Sequence, residues 1–279
     1  LERHTTIGGL NSFYRLNGRD YDVGLHAVTN FTPKGTRKGP LARMLRQLRF
    51  KWEDFALSPQ VGSRIAFPGV SLDFDNDIRL LTAEISEKFP AEVDNFRSLC
   101  ERIVDYDDLD QSTFELSTRT ILGEILSDPL LIEMLLCPLM WYGNAREDDM
   151  DWGQFCIMFR SIYLEGFARP FKGVRLILKN LVRKFRGVGG DLKLRHGVST
   201  IKVDGQRAVG VILDNGTEIE GKRILSSAGR LETLRLCEDV SEVDQRQSGQ
   251  LTFIESISIL DREPEKLGND RTIVFYNDS

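Results

Sequence analysis

The first ten residues place a carboxylate, Glu2, six positions before a glycine pair, Gly8-Gly9. In a Rossmann βαβ unit, an acidic residue about 20 positions after the glycine fingerprint ends the second strand and binds ribose hydroxyls. A carboxylate suits this role because it accepts two hydrogen bonds at once, and glycine lets backbone approach a pyrophosphate closely. The segment therefore predicts the second half of a dinucleotide-binding unit. The alternative is a surface glutamate followed by a flexible turn.

A second motif, Asp22-Val23-Gly24-Leu25-His26, follows a short hairpin that turns at Asn17-Gly18. An Asn-Gly pair between apolar runs is a strong turn signal because both positions tolerate positive φ. A glycine followed by an imidazole can lay a loop beside a flat ring system, where His26 can donate or accept a hydrogen bond. Local turn hydrogen bonds made by the aspartate and the histidine are the alternative interpretation.

The middle of the chain has helical periodicity, with apolar residues three and four positions apart. We predict helices over 40–50, 77–88, 91–104, 114–127 and 153–167, and a strand pair at 64–67 and 71–74. From Gly173 the pattern changes to helix, Gly189-Gly190, then strands. The predicted strands are 192–194, 198–203, 208–213, 217–220, 223–227, 251–260 and 272–276. Ala228-Gly229 follows one of them, where open α/β sheets bind ligands.

Composition excludes several classes of function. The net charge of −5 argues against a general nucleic-acid binder, which needs a basic surface. The four cysteines and three histidines are too scattered to predict a metal site, and reduced, mostly buried thiols are expected. No apolar run reaches the ~20 residues that span a bilayer, and no signal peptide is visible. These observations predict a cytoplasmic protein.

Taken in order, these motifs resemble the FAD-dependent phytoene desaturase and carotenoid isomerase group, which includes retinol saturase-like proteins of the flavin amine oxidase-like superfamily. The resemblance rests on Glu2-Arg3, Gly8-Gly9, the Tyr21 to His26 block, a helix ending in Gly-Gly, and the hairpin from Val211 to Gly216. It implies FAD as cofactor and His26 as the catalytic candidate, a group near the flavin. The cofactor-binding residues that it implies are Glu2, Arg3, Gly8, Gly9, Ser12, Gly24, His26, Val198, Ala228 and Gly229.

The resemblance also implies an α/β fold, mixed α+β, with a Rossmann-like flavin domain and an inserted, largely helical substrate domain. The expected segments are 1–39 and 169–250 for the flavin domain, 40–168 for the substrate domain, and 251–279 for a second substrate-domain segment. The upstream glycine fingerprint and the C-terminal flavin segment of that group have no counterpart here. We therefore expect the chain to be a fragment.

The implied activity is hydride transfer between flavin and an apolar, polyene-like substrate, giving desaturation, saturation or isomerisation. An amine oxidase-type flavoprotein and a truncated, non-catalytic scaffold are the alternatives. Between Lys172 and Arg195 the chain carries eight basic residues and one acid, Asp191. This basic amphipathic helix either contacts anionic lipid peripherally or is simply a solvated face, and the second interpretation is favoured. Nothing in the sequence predicts the oligomeric state.

Overall fold

The computed structural model describes residues 1–107, 116–144, 146–237 and 254–278. The chain divides into two compact units. Unit 1 comprises Leu1–His26 and Lys172–Gly249, and unit 2 comprises Ala27–Phe171 and Gln250–Ser279. The chain therefore passes from one unit to the other after residues 26, 171 and 249. The assignment of its segments to flavin and substrate domains stays a prediction.

The chain is a mixed helix-and-sheet protein. Its helices are α1 Pro40–Leu48, α2 Ile78–Lys88, α3 Val93–Val104, α4 Thr118–Ile125, α5 Pro129–Gly143, α6 Trp152–Phe159, α7 Val174–Gly187 and α8 Arg230–Leu236. Its strands are β1 Phe13–Leu16, β2 Arg19–Asp22, β3 Leu57–Pro59, β4 Ser63–Phe67, β5 Val70–Phe74, β6 Ala168–Pro170, β7 Val198–Asp204, β8 Arg207–Leu213, β9 Glu218–Glu220 and β10 Ile273–Tyr276.

Unit 1 contains a hairpin and a three-stranded meander. The hairpin pairs β1 with β2 around Asn17 and Gly18, whose φ values of 50° and 77° confirm the predicted turn. The meander has the antiparallel order β7-β8-β9 and confirms the predicted strands around Asn215-Gly216. Its buried face is a small cluster made by Ile201, Val211 and Leu213.

Helix α7 begins where the sequence predicts it, at the glycine that precedes Val174. Gly173 has a φ of 68°, and a side chain there would overlap the carboxylate of the buried Asp22. That carboxylate therefore lies against the N-terminus of α7, where negative charge is favourable. Arg175 of α7 also contacts the hairpin, because it pairs with Asp20 of β2 at 2.8 Å and stacks over Phe13 of β1.

The Rossmann-like arrangement expected of the flavin domain stays a prediction for the described residues of unit 1. Parallel pairing in these residues is limited to one isolated bridge, between Glu2 and Leu194. The strand predicted over 192–194 is therefore wrong. The strand predicted over 223–227 is also wrong, since these residues have no ladder partner in the part of the chain that the structure describes. Leu225 is accordingly 99% exposed.

Unit 2 is a helical body around an aromatic core. Phe74, Phe159 and Tyr163 make edge contacts in this core, and the Tyr163 hydroxyl donates to the Leu135 carbonyl at 3.0 Å. The strands β5, β4 and β10 form one sheet in which β10 runs parallel to β4. The strand predicted over 272–276 is thereby confirmed, whereas residues 254–260 form no strand and 251–253 lie outside the described residues.

Helix starts in unit 2 follow the capping residues of the sequence. Four helices begin after a side chain that accepts a backbone hydrogen bond, namely Asp77, Ser117, Asp128 and Asp151. The helices predicted over 40–50, 77–88, 91–104 and 153–167 are confirmed with shifted ends, the last continuing as a π-helical turn over Arg160–Leu164. Of the helix predicted over 114–127, residues 118–125 are helical and 114–115 are not described.

The cysteines are free thiols where the structure describes them. Burial raises the pKa of Cys100 and Cys156 to about 12 and that of Cys137 to about 11. These three thiols therefore stay protonated and poorly nucleophilic near neutral pH. No helix of the described residues is long and apolar enough to cross a bilayer.

Asn76 joins distant parts of unit 2. Its side-chain amide donates to the Phe167 carbonyl at 2.9 Å and accepts from the Phe167 amide at 2.8 Å, and Gln60 donates to it at 2.7 Å. Gly166, at a φ of 85°, leaves the space that this amide occupies, because a Cβ there would overlap it. The glycine is thus required both for conformation and for close approach.

We expect Gly166→Ala to lower the free energy of unfolding by roughly 2–4 kcal/mol, since it adds a clash to the cost of positive φ. Gly69→Ala is the matched control: Gly69 has a φ of 80° but nothing within 4 Å of a built Cβ. It should lose only about 1 kcal/mol. Urea denaturation of both variants measures the difference, and equal losses would show that Asn76 does not constrain Gly166.

A carboxylate held by two arginines ties β10 to the sheet of unit 2. Asp73 on β5 accepts from Arg64 at 2.7 and 3.0 Å and from Arg271 at 2.6 Å. Partial burial raises the pKa of Asp73, but the hydrogen bonds and attraction of both arginines outweigh it and hold the pKa well below its ordinary value. Because the pKa is depressed by folding, the stabilisation is present above pH ~4 and is lost as pH falls below that.

We expect Asp73→Asn to lower the free energy of unfolding by about 1–3 kcal/mol at pH 7, because it removes charge-assisted hydrogen bonds. The difference from the wild-type chain should shrink as pH falls below about 4, because Asp73 of the unfolded chain then binds a proton that the folded chain does not. Denaturation at a series of pH values measures it. A difference that stays constant down to pH ~2 would contradict the role given to the charge.

Candidate functional site

The site begins with backbone pairing between the first residues and the segment before β7. The Glu2 amide donates to the Lys193 carbonyl at 2.9 Å, and the His196 amide donates to the Glu2 carbonyl at 2.8 Å. The Arg195 amide donates to the His4 carbonyl at 3.0 Å. Three hydrogen bonds therefore fix Glu2 beside the end of α7 and the start of the meander, although these residues are over 190 positions apart.

Arg3 holds this segment against the meander. Its guanidinium donates to the Val198 carbonyl at 2.9 Å and to Asp214 at 3.0 Å. Gly197 is a glycine because a Cβ there would overlap the Asp214 carboxylate and the Arg3 guanidinium. Arg3 was predicted to bind a cofactor, and this role stays a prediction; its two described hydrogen bonds, both from Nη2, are made to the protein itself. Its observed contacts position Glu2 and Val198.

The glycine pair forms a compact turn. Gly8 and Gly9 have φ values of 109° and 53°, and the Ser12 amide donates to the Gly9 carbonyl at 3.1 Å. The Ser12 hydroxyl lies 3.1 Å from the Thr6 hydroxyl and thus closes the turn. Gly24 packs against this turn, since a Cβ there would lie 2.5 Å from the Leu10 carbonyl oxygen. Ser12 and Gly24 therefore stabilise the conformation of this turn through their contacts with Thr6 and Leu10.

An open cleft of about 1260 Å³ lies within unit 1. Six of the predicted cofactor residues line it, namely Glu2, Arg3, Gly8, Gly9, Val198 and Ala228. Gly229 instead lines a neighbouring hollow of about 600 Å³ with Thr233 and Cys237. Residues that come from both ends of unit 1 in sequence thus meet at one surface, and their roles as ligand contacts stay predictions.

The cleft combines an apolar floor with a charged rim. Ile201, Val211 and Ile219 of the meander supply the floor. The charged residues that line the cleft are Glu2, Arg3, Glu220, Arg223, Glu232 and Arg235. Such a surface can hold a flat apolar ring on its floor and an anionic or hydroxyl-bearing group at its rim.

Glu2 is the residue best placed for specific recognition. Its Oε1 accepts from the His4 amide at 2.8 Å, which orients the carboxylate. A carboxylate has about four lone-pair sites, so capacity remains for two hydroxyl donors. Orientation by the protein lowers the entropy lost when such donors bind.

Besides Gly229, three predicted residues lie outside the lining of this cleft as the structure describes it: Ser12, Gly24 and His26. His26 is exposed and is the last residue of unit 1 before Ala27. Its role beside a bound flavin therefore stays a prediction. Where the structure is described, no three His, Cys, Asp or Glu side chains cluster to hold a metal ion.

Sequence reasoning missed His196 and the two rim arginines, Arg223 and Arg235. His196 lies in the lining with its Nδ1 2.6 Å from the Leu194 carbonyl oxygen. The signal for it was available in part, because His196 comes two residues after the segment 192–194 that the sequence predicts as a strand. No sequence pattern marks these two arginines: Arg223 lies in the irregular segment between β9 and α8, and Arg235 lies in the last turn of α8.

We expect Arg3→Ala to speed amide hydrogen exchange at Glu2 and His196 about two- to fivefold. The effect is small because the Arg3 and Asp214 side chains are 59% and 47% exposed, and exposed pairs contribute little. Exchange measured by mass spectrometry or NMR tests it, with Arg19→Ala on the exposed face of β2 as control. An unchanged rate in Arg3→Ala would show that Arg3 does not hold this segment.

Comparison with known proteins gives relatives in sequence and in fold. No family model matches the chain. The chloroplastic prolycopene isomerases of Arabidopsis thaliana and Daucus carota are each 23% identical to it over 291 residues, covering 93% of this chain. The match covers 48% and 47% of those two proteins, so the chain spans about half the length of the curated relatives.

Two solved structures share the fold. An oxidoreductase from Methanosarcina mazei superposes with a TM-score of 0.63 at 18% identity, over 88% of this chain and 56% of that one. A protein from Pyrococcus furiosus superposes with a TM-score of 0.59 at 16% identity, over 87% of this chain and 58% of that one. The chain is therefore a mixed helix-and-sheet protein with an oxidoreductase among its structural neighbours.

Proposed function

We propose that this chain is part of an FAD-dependent oxidoreductase and that the cleft of unit 1 binds the adenosine diphosphate portion of the cofactor. The observation that carries the proposal is the position of Glu2, which lines the same cleft as Gly8, Gly9 and Val198 with its carboxylate oriented by the His4 amide. The sequence similarity to prolycopene isomerases and the fold shared with an oxidoreductase support it.

The residues present fit such a group by their chemistry. Glu2 would accept hydrogen bonds from the ribose hydroxyls, and the turn at Gly8 and Gly9 would admit the pyrophosphate close to backbone. Arg223 and Arg235 are rim cations that would balance its charge. The apolar side chains of the meander floor suit an adenine ring.

The bound flavin would supply hydride acceptance or donation, and the chain would supply orientation and exclusion of water. A carotenoid is the substrate class that the name of the plant relatives suggests, so we propose an apolar polyene-like substrate. Unit 2, with its large apolar and aromatic core, is the proposed substrate-binding part. A Rossmann-like arrangement of unit 1 belongs to the same proposal.

The proposal predicts that the chain distinguishes ADP from 2′-deoxy-ADP. We expect wild type to bind ADP about five- to tenfold more tightly, because the half-buried Glu2 carboxylate loses one hydrogen-bond donor in the deoxy compound. Glu2→Gln should reduce this preference to less than about twofold, since an amide oxygen is a weaker acceptor than a carboxylate. Isothermal calorimetry or NMR titration measures both affinities.

Glu220→Gln is the matched control. Glu220 lines the same cleft from β9, and its substitution makes the same change in charge as Glu2→Gln. It should keep the preference for ADP. If Glu2→Gln discriminates as well as wild type, or if both variants lose the preference equally, Glu2 does not recognise the ribose. If wild type binds neither nucleotide at millimolar concentration, the proposed function is wrong for this chain.

A further inference from the structure

The segment from Lys34 to Lys51 is strongly basic on a chain whose net charge is −5. It contains seven basic residues and no acid, namely Lys34, Arg37, Lys38, Arg43, Arg46, Arg49 and Lys51. All seven are exposed. The segment lies within unit 2 and includes helix α1. It therefore forms a local positive surface, which we call the α1 basic surface.

The fold fixes which way this surface faces. Pro40 at the first turn and Arg49 in the left-handed conformation at the end limit α1 to nine residues. Leu41 and Leu45, one turn apart, are buried in unit 2. The arginines at positions 43 and 46 lie on the other side of the helix and are held toward solvent. The helix is thus amphipathic with a basic outer face.

Little of this charge is neutralised within the protein. Among the described ion pairs, the surface has one carboxylate partner, the Glu53 that pairs with Lys34. Arg46 donates to the Arg37 carbonyl at 3.1 Å, and no carboxylate pairs with it among the described ion pairs. Uncompensated cations on one face attract an extended anionic partner.

Apolar side chains border the same surface. Met44 and Leu48 on α1 are 39% and 36% exposed. A helix with basic residues flanked by half-exposed apolar side chains fits a lipid interface, where cations meet headgroups and apolar groups enter the acyl boundary. A surface for nucleic acid needs the cations but gains nothing from methionine and leucine at its edge.

We propose that the α1 basic surface docks unit 2 on the surface of an anionic lipid bilayer. Clusters of four to eight Lys and Arg on an amphipathic helix recognise anionic headgroups, and each residue near the surface contributes about fivefold in affinity. The docking is independent of nucleotide binding by unit 1, so its test stands apart from that of the proposed function. Helix α1 is thus a second basic helix of the chain besides α7. In α7, Arg175 is already paired with Asp20.

The test is cosedimentation of the whole chain with vesicles of phosphatidylcholine, with and without about 30% phosphatidylserine. We expect at least about tenfold stronger partitioning onto the anionic vesicles, lost at high salt. The variant with Arg37→Glu, Lys38→Glu and Arg43→Glu should lose at least about 50-fold. Circular dichroism checks that its fold is retained.

The matched control carries Lys172→Glu, Lys179→Glu and Arg186→Glu, which makes the same change in charge on exposed residues at and along α7. It should lose less than about fivefold. Met44→Gln should weaken vesicle binding about threefold, since it removes apolar area, and leave binding to polyuridylate unchanged.

Three outcomes would overturn the proposal. In the first, wild type binds neutral and anionic vesicles equally. In the second, the α7 control loses as much binding as the α1 variant, which shows that the surface is not at α1. In the third, the chain binds polyuridylate at concentrations where it does not bind anionic vesicles, which assigns the surface to nucleic acid.

Discussion

The candidate site depends on the backbone pairing of Glu2 and His4 with the segment from Lys193 to His196. These hydrogen bonds join parts of the chain that are far apart in sequence, so their formation costs loop-closure entropy that local contacts do not. Without them Glu2 would be a solvated glutamate in an unanchored segment. With them Glu2 lines the same cleft as the apolar meander and the glycine turn, which is the combination that the proposed nucleotide site requires.

The energetics of the two units differ in a way that matters for this pairing. Unit 2 has an extensive core that includes Phe74, Phe96, Phe155 and Tyr163, whereas the meander of unit 1 buries chiefly Ile201, Val211 and Leu213. Burial of apolar surface is the main stabilising contribution, so the cleft lies in the less stabilised unit. The Arg3 contacts add modestly because the ion pair with Asp214 is exposed. A ligand that contacts Glu2 and Val198 together would therefore stabilise unit 1 on binding.

Sequence patterns predicted the elements whose causes are local. The hairpin at Asn17-Gly18, the meander turn at Asn215-Gly216 and the start of α7 depend on residues within a few positions, and all are confirmed. Helix α5 was not predicted because it is apolar nearly all round, so no periodicity marks it, and because Pro138 within it is a helix-breaking residue although the helix continues through it. Residues 223–227 have the composition of a strand, but a strand also needs a partner, which composition does not supply.

The same distinction applies to the site. The glycine and glutamate types near the start of the chain indicated which residues to examine, and six of the predicted residues line one cleft. The pairing of Arg3 with Asp214, 211 positions away, could not be predicted, because nothing in either local sequence specifies it. The basic residues of the α1 surface were not singled out from the sequence, and only the burial of Leu41 and Leu45 shows which way they face.

Photolabelling with 8-azido-ADP, followed by mass spectrometry of the peptides, tests most directly that the cleft of unit 1 is the nucleotide site. We predict label in peptides from Leu1–Leu10, Val198–Leu213 or Arg223–Leu236, suppressed by excess ADP. The residues that line the cleft lie within or beside these segments. Label confined to peptides from Ala27–Phe171, or label that excess ADP does not suppress, would contradict the assignment of the site.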